Sequence, residues 1–308
     1  MIVISLLTSI IAGGIVLAVS ILFVSIGEVY NERAGVINLG LEATIALSAF
    51  IGLWITFDTE NFFLGTFAAI GVGAVIGLLH SLTCVKMRVN QLIAGLLFLT
   101  FADGLANFFN NELAKSGVFL GVIPLRDINI PFLSDIPYIG EIFFQHNIFV
   151  YLAFFLAIVF GLILYKTTWG LKIRAVGENP EACDAAGINV NLVRHLCDIF
   201  SGAMAGLAGA FITLGDIGLF SAGIAGGVGY LAIIVVIFSR WNPYRAILGS
   251  LMFGMGKAAG FVLIGWYGSA ISPDFLRMLP YFVALIVIVI FGGQKKAPAA
   301  LTVPYWRK

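Results

Sequence analysis

Long apolar stretches recur along almost the whole chain, and they leave few folds open. A helix that crosses a bilayer needs about 20 apolar residues. Only 11% of the 308 residues are charged, whereas a soluble domain carries roughly 25%. The sequence therefore predicts an all-α integral membrane protein with about nine transmembrane helices. The predicted spans are residues 2–25, 35–57, 61–83, 91–111, 148–165, 193–214, 224–239, 245–264 and 275–292.

Basic residues alternate between the predicted loops, and this alternation indicates an orientation. Most of them lie in every second loop, whereas the intervening loops carry Asp58, Glu60 and Asp216 and little basic charge. Cytoplasmic loops hold the excess of Lys and Arg, so we expect the C-terminus inside and, with nine spans, the N-terminus outside. The basic residues behind this expectation are Lys86, Arg88, Lys166, Lys172, Arg174, Arg194, Arg240, Arg245, Lys295, Lys296, Arg307 and Lys308.

Two of the predicted loops are long. The external one covers about residues 112–147 and contains Pro124, Pro131 and Pro137, which break helices. It also carries apolar residues such as Phe119 and Phe132. Docking of an external partner and simple capping of the helices both remain open for it.

The second long loop is cytoplasmic, covers about residues 170–192, and contains its own helix signals. Asn179 is a good N-cap, and Pro180 fits the first helical position, where its missing N–H costs nothing. Gly187 fits a helix stop. The pattern predicts a short helix over residues 180–186, too short to be stable alone. It either docks into another protein or lies as a plain loop helix on the membrane surface.

Three motifs carry a family resemblance over about residues 10–292. The segments are GLKIRAVGENPEACDAAGIN from Gly170, GEVYNERAGVINLGLEATIAL from Gly27 and SGAMAGLAGA from Ser201. They resemble ABC-importer permeases of the branched-chain amino acid, ribose and nucleoside group, closest to the nucleoside and simple-sugar permeases that work with a receptor lipoprotein. Ala43 and Cys183 depart from the common Gly and Ala of the pattern, and both are small.

The resemblance implies one permease domain over residues 1–308 with a type II ABC-importer-like fold. It implies a multi-pass protein in the plasma membrane of a prokaryote, whose partners are two ATP-binding-cassette subunits or one tandem ATPase, a second permease expected to be a different chain, and an external substrate-binding lipoprotein. The short cytoplasmic helix would be the coupling helix. Its coupling residues are Glu178, Asn179, Pro180, Glu181, Ala182, Asp184, Ala186 and Gly187.

Enzyme chemistry is not expected in this chain. The run around Lys257 lacks a phosphate loop, because Leu251 and Ala258 stand where Walker A needs Gly and Ser or Thr. ATP hydrolysis is therefore expected in a separate subunit. The scattered histidines and unpaired cysteines predict no metal site or cofactor, and free thiols. No nucleic-acid partner is expected.

Polar residues inside predicted spans are the candidates for a solute path, because charges there face a cavity or a partner. Lys257 lies at mid-span, and a structural pair with Glu42 or Asp103 is the alternative to a path role. The candidates are Asn38, Glu42, Gln91, Asp103, Asn107 and Lys257.

Three further patterns concern packing and polar contacts. Gly202 with Gly206, and Ala205 with Gly209, form a small-residue face for close helix contact. The glycine-interrupted run from Ala222 is typical of broken helices that line transport sites. His195 and Asp198 share a helix face, and we expect an interfacial polar pair there.

The sequence favours the membrane subunit of an ATP-driven importer, with nucleosides as the cargo implied by the resemblance. The same machine with a branched-chain amino acid or a simple sugar as cargo stays open. The alternatives of another class are an ion-coupled secondary transporter and an intramembrane enzyme. A secondary transporter would account for Glu42 and Asp103 but not for the short cytoplasmic helix.

Overall fold

The computed structural model describes residues 2–267, 272, 275–276, 278–291 and 297–306, and this part of the chain is overwhelmingly helical. The predicted all-α class is confirmed. The helices are α1 (Ile2–Arg33), α2 (Leu41–Thr59), α3 (Phe62–Ser81), α4 (Gln91–Lys115), α5 (Ile139–Phe143), α6 (Ile148–Lys166), α7 (Thr168–Glu178), α8 (Pro180–Ala185), α9 (Val190–Ala210), α10 (Val228–Phe238), α11 (Pro243–Tyr267) and α12 (Leu279–Phe291). Short π-helical turns, Leu82–Lys86 and Phe211–Ile217, continue α3 and α9.

Seven helices in the described ranges are long and apolar enough to cross a membrane. They are α1, α2, α3, α4, α6, α9 and α11, and each occupies one of the predicted stretches. The two remaining stretches hold the apolar helices α10, with 11 residues, and α12, with 13. Both are shorter than the roughly 20 residues of a full perpendicular span.

The structure corrects the boundary between the first two spans. α1 continues to Arg33 rather than ending at residue 25, and α2 begins at Leu41 rather than at 35. Glu28 and Glu32 do not end α1, because both are buried; Glu28 accepts a hydrogen bond from Ser201 of α9, and Glu32 accepts one from Trp241 in the loop before α11. Residues 34–40 form a loop between the two helices instead.

α1 and α9 lie at the centre of the bundle. α1 contacts α6, α9, α10 and α11, and α9 contacts α1, α2 and α3. The main core cluster is formed by buried apolar side chains of α1, of the π turn after α9 and of α11, among them Phe23, Ile26, Phe211 and Phe253. A largely buried helix is apolar almost all round, and α1 fits this pattern over most of its length.

The predicted small-residue face of α9 is confirmed where it crosses α3. A Cβ added at Gly202 would meet the carbonyl of Gly73, and one added at Gly206 would meet the carbonyl of Ala69. Gly73 in turn faces the carbonyl of Gly202. The two backbones therefore touch directly, an approach that only small residues permit.

One end of the bundle, called here the basic end, gathers the ends of several helices with basic residues. Arg33 donates to the carbonyl oxygens of Arg240 and Trp241 at 3.3 and 3.1 Å. The guanidinium of Arg88 lies 3.9 Å from the centroid of the Trp306 ring. α7, α8 and residues 297–306 lie at the same end.

The opposite end, called here the distal end, carries the long loop after α4. It is not featureless. Residues Ile128–Asn129 and Gln145–His146 pair as two short antiparallel strands, with the single turn of helix α5 between them. A bridge between Gly121 and Leu219 ties this loop to the segment after α9.

The polar segment before α9 contains two helices rather than one. α8 spans Pro180–Ala185, one residue shorter than predicted, and Asn179 caps it by accepting from the Ala182 N–H at 3.0 Å. Gly187 has a φ of 80°, the left-handed conformation expected at a helix stop. α7 was not predicted. It buries Ile173 and Val176 and exposes Lys172, and this amphipathic pattern places it along the surface of the bundle.

Candidate functional site

A cavity of about 810 Å³ lies between α1, the π turn after α9, residues 221–228, α11 and α12. Its walls combine apolar side chains with a few polar ones, the usual lining of a site for a small molecule. The polar residues on its walls are Ser20, Asp216, Ser221, Lys257 and Tyr281.

Two opposite charges face this cavity. Lys257, from the middle of α11, points its ammonium at the Gly226 carbonyl oxygen, 3.4 Å away. Asp216, from the π turn, is exposed to the cavity. Among the ion pairs found in the described residues, none includes Lys257. The predicted alternative, a direct pair with Glu42 or Asp103, is therefore not formed in this structure.

A second recess of about 280 Å³ is lined by Glu42, Thr100 and Asp103. Asn107 lies beside it and donates to the Asp103 carboxylate at 3.1 Å. Glu42 also has a clear local role. Its two carboxylate oxygens accept from the N–H groups of Gly227 and Gly229, each at 2.7 Å. N–H groups at the start of a helix have no partner within the helix. Glu42, a residue of α2, supplies the partner here and so caps α10.

A glycine-rich turn separates the cavity from the recess. Gly223 and Ala225 line both spaces. Gly223, Gly226 and Gly227 have φ values of 73°, 56° and 80°, a conformation that L side chains rarely adopt. Residues 221–227 are therefore an irregular segment held between Glu42 on one side and Lys257 on the other. This agrees with the prediction of a broken helix at this point.

Two of the six predicted path residues lie elsewhere, in a buried polar cluster toward the basic end. The backbone N–H of Asn38 donates to the Glu28 carboxylate at 2.9 Å, and the side-chain nitrogen of Asn38 lies 3.4 Å from the Asp198 carboxylate. Gln91 accepts from the Ile37 N–H at 2.9 Å, which fixes the loop between α1 and α2. Their contacts hold helices together and do not reach the cavity.

The polar cluster joins four parts of the fold. His80 of α3 lies 2.6 Å from Asp198 of α9, and both are fully buried. Glu28 of α1 accepts from Ser201 at 2.8 Å and from Asn31 at 3.1 Å. A buried charge is costly unless paired and hydrogen-bonded, and here each carboxylate has several partners.

The predicted polar pair between His195 and Asp198 is wrong. Asp198 does not pair with His195. It pairs with His80, and His195 contacts Ser81 instead, 2.9 Å away.

Cys84, Cys183 and Cys197 are free and buried. Burial raises the pKa of the Cys183 thiol in α8, which keeps it a neutral packing residue.

The sequence missed several residues of these sites. Asp216 was assigned to an external loop. In the structure it lies in the π turn that continues α9, and it forms part of the cavity wall. Glu28, Asn31 and Glu32 follow the apolar stretch at a spacing of three to four residues. That helical spacing, with no basic residue before Arg33, was the available signal for a buried polar face.

The predicted coupling residues form an exposed knob at the basic end. Glu178, Asn179, Glu181, Ala182, Ala186 and Gly187 are exposed, whereas Pro180 and Asp184 are partly buried. The buried side chain of Cys183 packs with Ile173, Val176 and Val193 and anchors the knob to the bundle. α8 is thus a short helix presented outward from a packed base.

Comparison with protein families assigns the chain. The family model described as the permease component of the branched-chain amino acid transport system matches residues 10–291. The chain belongs to this permease family. The match covers all the candidate path residues and all the residues of α7 and α8.

Three relatives of this permease carry functional names. The nucleoside ABC transporter permease NupC of Lactococcus lactis is 34% identical, and the alignment covers 98% of both chains. The guanosine ABC transporter permease NupQ of Bacillus subtilis is 32% identical, again over 98% of both. The putative glucose ABC transporter permease TsgC13 of Haloferax volcanii is 34% identical over 77% of this chain and 72% of its own.

Proposed function

We propose that this permease is the membrane subunit of an ATP-driven importer of nucleosides, with the large cavity as part of the solute path. The observation that carries the proposal is a cavity of about 810 Å³ with Asp216 and Lys257 on its walls. Ligand pockets of about 300–1,000 Å³ hold small molecules, which are oriented by a few polar groups. The size and lining suit a neutral, hydrogen-bonding solute of nucleoside dimensions.

Support for nucleosides as cargo comes from the relatives that align over almost the whole chain. NupC and NupQ are named for nucleosides and for guanosine. A sugar is the second candidate, because TsgC13 is named for glucose. A nucleoside contains a sugar ring, so one polar lining could serve either class.

We propose nine spans, with the N-terminus outside and the C-terminus inside the plasma membrane of a prokaryote. Seven long apolar helices and the shorter α10 and α12 support this count. Support for the orientation comes from the basic residues gathered at one end, which by the positive-inside rule is cytoplasmic. The whole chain, residues 1–308, acts as one permease domain in this proposal.

Within that orientation α8 is the element that meets the ATPase. Its exposure on a packed base supports the role, as does its position at the basic end. The partners in this proposal are two ATPase subunits or one tandem ATPase, a second permease chain, and an external substrate-binding lipoprotein. ATP hydrolysis belongs to the ATPase, and this chain supplies the path.

The cavity role is tested by the variant Lys257→Met in the assembled transporter. We expect nucleoside uptake to fall about tenfold or more, because a charged hydrogen-bonding group is worth about 1.5–3 kcal/mol. Lys166→Met, at an exposed position at the end of α6, is the matched control and should leave uptake unchanged. Equal uptake by the two variants would remove Lys257 from the path.

The cargo is tested by competition in cells that express the complete transporter. Labelled guanosine uptake is measured with an excess of unlabelled nucleosides, glucose or leucine. Competition by nucleosides alone is the expected result. Competition by glucose or leucine alone would assign the same machine to another cargo.

A further inference from the structure

Residues 297–306, called here the C-terminal strap, are bound to two different parts of the basic end. The N–H of Ala300 donates to the carbonyl of Gly177 at 2.8 Å, just before α8. The N–H of Thr302 donates to the carbonyl of Gly35 at 3.1 Å, just after α1. The strap therefore connects the base of α8 with the end of α1.

A buried arginine fixes the strap to the bundle. Arg194, near the start of α9, is only 2% exposed. Its guanidinium donates to the carbonyl oxygens of Ala34 at 3.1 Å, Val303 at 2.9 Å and Ala300 at 3.4 Å. The planar guanidinium presents its donors in a rigid fork, so one side chain holds the end of α1 and two points of the strap in fixed positions.

The contact between α7 and α1 is equally close. A Cβ added at Gly177 would collide with the carbonyl of Arg33 and would touch Pro298. The last turn of α7, the last residue of α1 and the beginning of the strap thus meet at one point. A shift of α8 cannot leave this junction undisturbed, because interiors packed this closely transmit strain.

The strap and the start of α8 also share one outer surface. A groove of about 330 Å³ has Glu178, Asn179, Pro180 and Glu181 on one wall. Residues 299–300 and 303–306 form the other wall, and Trp306 remains 61% exposed. A subunit seated on α8 would therefore touch the strap as well.

We propose that the strap and α8 move as one coupling unit, and that Arg194 is the positioning residue that joins this unit to α1. The inference rests on the proposed function, in which α8 meets the ATPase. α1 is a continuous helix from the basic end to the cavity, where Leu17 and Ser20 form part of the wall. Movement of the coupling unit would therefore shift α1, and α1 would transmit that shift to the cavity wall.

The test uses the complete transporter in proteoliposomes. Ala300→Pro removes the N–H that binds Gly177, whereas the matched control Ala300→Gly keeps it. We expect Ala300→Pro to assemble and to keep basal ATP hydrolysis. The amount of nucleoside imported per ATP should fall at least about fivefold, which is the lower range of a coupling free energy. Ala300→Gly should couple like the unaltered chain.

Arg194→Lys is the second variant, because it keeps the positive charge but loses the fork. It should assemble and lose coupling in part. Normal coupling in both Ala300→Pro and Arg194→Lys would overturn the proposal. Failure of both to assemble would also overturn it, because the strap would then serve folding and not coupling.

A change in α8 itself separates this inference from the proposed function. Glu181→Lys should uncouple hydrolysis from import if α8 meets the ATPase. If Glu181→Lys uncouples and Ala300→Pro does not, the strap inference alone fails. If neither variant changes import by a chain that assembles, the proposed role of α8 fails with it.

Discussion

At the scale of single residues, the buried carboxylates of Glu28 and Asp198 each have several hydrogen-bonding partners in this permease. Glu28, His80 and Asp198 come from three helices and lie in one buried cluster. Membrane interiors tolerate charged groups only when they pair or face a cavity. The cluster joins α1, α3 and α9 toward the basic end.

Breaking the buried pair should be severe. Asp198→Ala leaves His80 without its partner, and we expect a loss of about 3–5 kcal/mol in the free energy of unfolding. Asp58→Ala, at an exposed position, is the control and should stay within about 0.5 kcal/mol. Thermal unfolding of the purified chain in detergent measures both. Equal melting temperatures would show that the pair contributes nothing.

Glu42 should act as a cap for α10, whether or not it meets the solute. Glu42→Ala leaves the N–H groups of Gly227 and Gly229 without their partner. We expect a loss of about 0.5–2 kcal/mol, the usual cost of a missing cap. Glu42→Gln keeps one acceptor oxygen, and its stability should lie between that of Glu42→Ala and that of the unaltered chain. A Glu42→Ala chain as stable as the unaltered one would contradict this role.

At the scale of elements, local signals were readable in the sequence and distant partners were not. α8 was predicted to within one residue, because Asn179, Pro180 and Gly187 encode its start and stop locally. α1 was ended too early, because Glu28 and Glu32 look like loop residues until their partners on α9 and at Trp241 are known. α7 was missed because its amphipathic pattern covers only 11 residues and lies inside a polar run.

The same distinction applies to the candidate site. Lys257 was chosen because a charge within an apolar stretch is conspicuous, and the structure places it on the cavity wall. Asn38 and Gln91 were assigned by the same rule, and in the structure Gln91 accepts from the Ile37 N–H of the loop between α1 and α2, whereas Asn38 is part of that loop and binds Glu28 and Asp198. Which of these roles a buried polar residue has is decided by packing between helices distant in sequence, and a single sequence does not contain that information.

The crossing of α3 and α9 should tolerate no added side chain. Gly202→Ala places a Cβ against the Gly73 carbonyl, and we expect it to destabilise the fold by about 1–3 kcal/mol. Gly71→Ala, on α3 with no atom within 4 Å of the added Cβ, should be neutral or stabilising by up to about 1 kcal/mol. Thermal unfolding compares the two. A reversed order would contradict the direct backbone contact.

At the scale of the whole molecule, the bundle has two chemically different ends joined by α1. The distal end carries an irregular loop and the cavity wall, and the basic end carries α8 and the strap. The proposed orientation places the first outside the cell and the second inside, where ATP is available.

Labelling of single cysteines tests this orientation. In a chain without its native cysteines, Glu60→Cys, between α2 and α3, should react with a membrane-impermeant maleimide on intact cells. Arg174→Cys, in α7, should react only after the cells are opened. The opposite pattern would invert the topology. Reaction of both on intact cells would mean that the number of spans between them is even.

The most direct test of the central claim is solute import by the purified transporter in proteoliposomes. The permease is reconstituted with the proposed ATPase, second permease chain and receptor, and labelled guanosine is followed with and without ATP. The account predicts accumulation that requires ATP, stops when the ATPase is catalytically inactive, and persists in the presence of an uncoupler. Accumulation that survives without the ATPase and collapses with the uncoupler would contradict it, and would identify an ion-coupled transporter instead.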